Sequence, residues 1–498
     1  MKRSELLFLF LLLVFQPLAG QVDLNENVRS AYGEIIALKI DDARSRLDNE
    51  VTDNPENLMV PYLENYIDFL TVFISEDEDE FDILEKNKSE RIDRIKKLDD
   101  TSRFRNYMLG NIHLQWAVAR LRFKHFFTAA IEINKAYRLL EKNAEEFPDF
   151  VPNYVSLGVL HIMIGMVPDN YQWLLDLISM KGSVEQGREE LYTVLRLSRE
   201  NEVYRFLYEE TLFYLGFVEI NIQPDPEKIN ILLEELEQAS FDNLLLTYLE
   251  INILMRTGNN NKALQKFEDI AKSGSNFLPF DYLYYLHGDC YLRKLEPASA
   301  RLKYNEFLNA FKGRNFIKDA VRKVAWSWLV EGKSAAYQTE VEKVLKMGHN
   351  DVDIDIEAER EAESGIIPNA DLIKARLLFD GGYYLLADST LAAMDTTRLT
   401  EEMQLERMYR MARTAHKSGS IDLCKSYYIK TIEEGSESDR YYAGNSALKM
   451  GEIYESEEKN QNALYYYNLC LDLDFEEYEN SIHAKANAAI ERLTETEE

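Results

Sequence analysis

The chain has 498 residues, more than one hydrophobic core organises, so several domains or an elongated repeat array are expected. Hydrophobic residues make up 46% and charged residues 29%, which argues against global disorder; 21 glycines and 11 prolines are few, which favours long helices over a turn-rich sandwich or barrel. With 87 acidic against 57 basic residues the net charge is −30, so nucleic-acid backbones and anionic lipid surfaces are expected to be repelled on average, and no nucleic-acid partner is expected.

Residues 1–20, MKRSELLFLFLLLVFQPLAG, combine a basic start at Lys2 and Arg3 with an apolar run from Leu6 to Phe15. The run is too short to span a bilayer, and Pro17, Ala19 and Gly20 follow it. A secretory signal cleaved after Gly20 is expected. Gln21 stands where a lipoprotein needs cysteine, so no lipid anchor is expected. No later stretch predicts a transmembrane segment. The reading is an exported protein, in the periplasm or cell envelope if the source is a Gram-negative bacterium.

Residues 21–240 read as a divergent helical domain. A first helix pair covers 28–55, with Ala43 and Leu47 at its contact and Pro55 closing it. The acidic run at 75–80 suits a loop or a helix start. A second pair runs through 114–143. A third begins near Asn153, with Gly158 at a close helix contact and Gly165 in a turn, and carries an inserted helix near 166–187. The apolar stretch 171–180 is expected to pack as part of that insert; an amphipathic helix lying on a membrane surface is the other reading.

From residue 241 one spacing recurs. A small residue is followed three later by a large one, then, across a turn, by a second small residue and a large one four after it. Residues 444–470 supply Gly451, Tyr454, Ala463 and Tyr467; residues 281–307 supply Gly288, Tyr291, Ala300 and Tyr304. The same frame fits 244–270 (Ala263, Phe267), 368–394 (Ala375, Ala387) and 405–431 (Ala412, Cys424, Tyr428). Small side chains let two antiparallel helices approach, and large ones fill the space beside the contact. A degenerate pair occupies 320–345, and residues 481–493 read as a capping helix. This pattern resembles the tetratricopeptide repeat, whose period is about 34 residues. The resemblance implies an all-α fold, a right-handed superhelical solenoid of antiparallel helix pairs, with repeats in 241–350 and 368–498.

Residues 153–191, with Gly158, Pro168, the apolar segment Trp173 to Met180 and Gly182, are similar to the tetratricopeptide repeat protein 39, or inclusion-body-clearance, family. That likeness implies a scaffold or adaptor and supplies no catalytic residue. Residues 300–330 resemble exported repeat proteins of the outer-membrane barrel-assembly type.

No metal-binding histidine pair, phosphate loop or nucleophile elbow is present. DVDIDIEAERE (351–361) lacks the glycine and glutamate of a calcium loop, since Ile356 and Ala362 stand there. Residues 351–367 are therefore expected as a solvated acidic linker. The three cysteines, Cys290, Cys424 and Cys470, fall inside repeats and are expected as buried free thiols. No catalytic residue, metal or cofactor is expected.

In such an array the first helix of each pair lines a groove. Its exposed positions hold Tyr248, Asn252, Arg256, Tyr282, Tyr285, Arg293, Arg376, Tyr409, Arg413 and Lys417, together with Phe379. Asp289, Asp380, Glu406, Glu452 and Glu455 share that face, so its charge balances while the whole chain is strongly negative. Tyrosine and arginine suit binding hot spots; the other reading is that these tyrosines pack against neighbouring repeats. The leading expectation is a non-enzymatic scaffold holding a protein or peptide in this groove. A glycan- or small-ligand-binding protein is the first alternative and a helical-toroid hydrolase the second.

Overall fold

The computed structural model of the chain describes residues 21–167, 180–222, 225–476 and 478–495. The expected signal segment and residues 168–179 of the expected insert lie outside the described residues. Among the described residues the chain is all-α, and helices that follow one another pair as hairpins in a tetratricopeptide-like manner. No described helix is long and apolar enough to cross a membrane. Two compact units are present.

Unit 1 comprises Met1–Ile253, Gln265–Leu283 and Ala310–Arg314. Its helices are α1 (Glu26–Ile36), α2 (Ile40–Asp53), α3 (Met59–Ser75), α4 (Glu78–Leu84), α5 (Asn87–Ile95), α6 (Arg103–Arg122), α7 (Phe126–Glu146), α8 (Asn153–Gly165), α9 (Val184–Glu200), α10 (Tyr208–Asn221) and α11 (Pro226–Ala239). The pairs α1–α2, α6–α7, α8–α9 and α10–α11 pack as hairpins. In the first pair Ala43 and Leu47 are buried on the inward stripe of α2; apart from the pairs, the side chain of Asp77 caps α4 by accepting from the N–H groups of Asp79 and Glu80. Glycine allows a close crossing. A Cβ on Gly187 would sit 2.3 Å from the carbonyl oxygen of Gly158, so α9 returns against α8 as the small-residue reading of Gly158 expected. Gly165 ends α8 against the first turn of α9. The core of this unit also encloses a carboxyl: Glu210 is buried and accepts from the hydroxyls of Tyr32 and Tyr66, and burial pushes its pKa up.

His161 crosses between three helices of unit 1. Its Nδ1 lies 2.7 Å from Glu190 on α9 and its Nε2 3.3 Å from Glu141 on α7. Burial alone would lower its pKa, but the two carboxylates outweigh this and raise it to about 9.

Unit 2 comprises Leu254–Leu264, Tyr284–Asn309 and Asn315–Glu498. The helices α12 (Leu244–Arg256), α13 (Asn260–Ser273), α14 (Tyr282–Arg293) and α15 (Pro297–Ala310) contribute to it, followed by α16 (Ile317–Val330), α17 (Ser334–Val341), α18 (Asp353–Ser364), α19 (Ala370–Asp380), α20 (Tyr384–Ala392), α21 (Glu401–Lys417), α22 (Ile421–Gly435), α23 (Tyr442–Ser456), α24 (Asn460–Asp472) and α25 (Glu479–Glu495). The recurrent spacing has the packing it predicted. A Cβ on Gly288 would sit 2.7 Å from the ring of Tyr304, and one on Gly451 would sit 2.4 Å from the ring of Tyr467. Ala300, Ala387, Cys424 and Ala463, the second small residues, are fully buried. All three cysteines are buried free thiols, and burial pushes Cys290 and Cys470 up to about 12.

The acidic stretch 351–367 is not a solvated link. Residues 353–364 of it form α18, in which Asp355, Glu359 and Glu361 have inward partners. Asp355 is buried and accepts from the backbone N–H groups of Phe316 (2.6 Å) and Asp319 (2.9 Å), which caps α16 from a distant point in the chain. Burial raises its pKa to about 6. Glu359 takes Lys318, and Glu361 accepts from Trp326 and Tyr337.

Candidate partner-binding face

Within unit 2 the first helices from α16 onward pack on one another: α16 on α19, α19 on α21, α21 on α23 and α23 on α25. This stacking puts the expected groove residues in rows, and the rows divide in two.

The early row is filled from within. Tyr285 is only 2% exposed and donates to Asp319 at 2.5 Å, while Lys323 donates to its hydroxyl at 2.7 Å. Lys323 also lies 2.7 Å from Asp289 and 2.8 Å from Asp319, and Arg322 pairs with Asp319. Tyr304 donates to Asp289 at 2.7 Å. Burial would raise the pKa of Asp319, but Lys323 and Arg322 outweigh it and hold the carboxyl well below the usual carboxylate range. Arg293 donates to the carbonyl of Met255 at 3.1 Å and lies beneath Gly381.

The turn after α19 covers this region. Gly258 and Gly382 both adopt left-handed backbone conformations, and a Cβ on Gly382 would sit 1.8 Å from the carbonyl oxygen of Gly258. Tyr383 completes the contact by donating to Asn261 at 2.7 Å and accepting from Asn260 at 3.1 Å. The expectation that Tyr285 and Arg293 face a partner is therefore corrected: an internal ion network and a turn-to-turn contact occupy that space.

The later row is open. Arg376 is half-exposed, lies 5.3 Å from the centre of the Trp326 ring and 4.0 Å from Asp380. Arg413 lies 4.1 Å from the centre of Phe379 and 5.7 Å from that of Tyr409. Lys417, one turn further along α21, is exposed. Tyr409 itself is buried, with its ring against Tyr441 and Tyr442, so it acts as a platform rather than a contact. These rings hold the guanidinium groups in place and leave their edges to donate hydrogen bonds. Arg256 is exposed in unit 2.

Three expected residues belong to unit 1. Tyr248 packs its ring against Phe280 (4.9 Å) and Tyr282 (6.4 Å), and Asn252 donates to the carbonyl of Tyr248 in its own helix. Helix spacing did not reveal Asp319, Arg322, Lys323 and Asp355. The available signal was the run IKDAVRKVAW (317–326), where charges fall on the inward stripe of an otherwise apolar helix.

No family model matches the chain, and no curated protein matches it. Among solved structures it is similar to the tetratricopeptide-repeat domain of P58(IPK), at 14% identity and a TM-score of 0.23, over 82% of this chain and 95% of that one.

Proposed function

We propose that the protein is an exported, non-enzymatic repeat scaffold that binds a protein or peptide across the first-helix face of α19 and α21. The supporting observation is the row Arg376, Arg413 and Lys417, two of whose cations rest on aromatic rings in a chain of net charge −30. Arginine on an aromatic platform keeps its donors aimed outward at small entropic cost, which is how binding hot spots are built. The double variant Arg376→Gln, Arg413→Gln tests this reading. Co-purification from a cell-envelope extract should yield a discrete protein with the wild type and about tenfold less with the variant. Both should show the same helical circular dichroism. Equal recovery with both would reject the face.

A further inference from the structure

Unit 1 contains a cavity of about 1020 Å³ between the short helices α4 and α5 and the hairpin α6–α7. Its walls collect basic groups. Lys88 is buried, and its ammonium lies 2.7 Å from Glu132. His113 takes the other oxygen of Glu132, and Arg120 pairs with Glu85. The Nη1 of Arg120 lies 3.5 Å from Glu132 yet is buried with no hydrogen-bond partner. Lys86, Lys96 and Lys135 line the same space.

The acids there are already committed. Glu132 serves Lys88, His113 and Arg120; Glu85 serves Arg120; Asp93 pairs with Lys96 at 3.2 Å. Only Asp82 among the lining acids lacks such a role, against Lys86 and Lys135. Burial lowers the pKa of Lys88; Glu132 opposes this, and the nearby charge of Lys135 adds a smaller lowering. Like charges brought together around a space of ligand size leave donors in excess of acceptors. Ile92, Leu109 and Leu139 add an apolar wall.

We infer that this cavity binds an organic anion, its carboxylate or phosphate held by Lys88, Arg120 and Lys135 and its apolar body lying against Ile92, Leu109 and Leu139. The inference does not rest on the proposed partner-binding face. Calorimetric titration of the full chain at low ionic strength with octanoate, octyl phosphate, inorganic phosphate and octylammonium tests it. One of the two octyl anions should bind at a single site, and the tighter of them identifies the head group. Inorganic phosphate should bind more weakly than octyl phosphate, and octylammonium should not bind. Lys135 is exposed, so Lys135→Met should fold normally and bind the octyl anion about tenfold less tightly. Failure of both octyl anions to bind, equal binding by octylammonium, or unchanged affinity in Lys135→Met would overturn the assignment.

Discussion

Asp319→Ala should lower the stability of unit 2 by about 3–5 kcal/mol, the cost of leaving buried cations without their shared carboxylate. Asp319 is fully buried, and Arg322 and Lys323 both lean on it while Tyr285 donates to it. Lys323 keeps Asp289 at 2.7 Å, whereas Arg322 keeps only a longer 3.8 Å contact with Glu361, so Arg322 bears most of the loss. Asp319→Asn keeps an acceptor for Tyr285 and should cost less than the alanine variant. The sign of the pH dependence follows from the depressed carboxyl. Its contribution is present above the unfolded-state value of about 4 and is lost as pH falls through the lower folded value. Urea midpoints should therefore differ strongly between wild type and Asp319→Ala at pH 7 and converge in strong acid. Equal midpoints at pH 7 would show that the network contributes no net stability.

Gly451→Val should open the C-terminal hairpin. Its added methyls would drive into the ring of Tyr467, which is fully buried and donates to Glu455 at 2.6 Å. Arg492 of α25 holds that same carboxylate at 2.7 Å, so a displaced ring also loosens the capping helix. Overpacking of this kind costs about 1–3 kcal/mol. Hydrogen exchange should rise across α23, α24 and α25. Gly33→Ala is the control: nothing lies within 4 Å of its Cβ position in α1, and removing a helical glycine should be neutral or slightly stabilising. Unchanged exchange in Gly451→Val would contradict the packing assigned to the repeat.

The hairpins were legible because their contacts depend on side-chain size at fixed helical spacing. Gly288 beneath Tyr304 and Gly451 beneath Tyr467 are such contacts. The α10–α11 hairpin escaped that frame. Its Leu215-Gly216 pair carries the signal, but Lys228 stands where the second small residue belongs, and Gly216 meets Leu249 of the following helix instead. Helices α3 to α5 show no such spacing, so the cavity they form with α6 and α7 was not readable. The groove was half legible. Helical register placed Arg376, Arg413 and Lys417 on one face, but it could not say that Tyr285 would meet Asp319 from the next hairpin. Nor could it show that Asp355 would turn inward to cap α16. Those outcomes depend on contacts between distant segments, such as Asp355 with Phe316 and Gly258 with Gly382.

A photo-crosslinking residue introduced at Lys417, compared with the same residue at Leu302, tests the scaffold reading most directly. Lys417 is exposed on a first helix of unit 2, whereas Leu302 is exposed on α15, the second helix of its hairpin. In intact cells one discrete protein should crosslink through position 417 and none through position 302. The same products from both positions, or none from either, would contradict that reading.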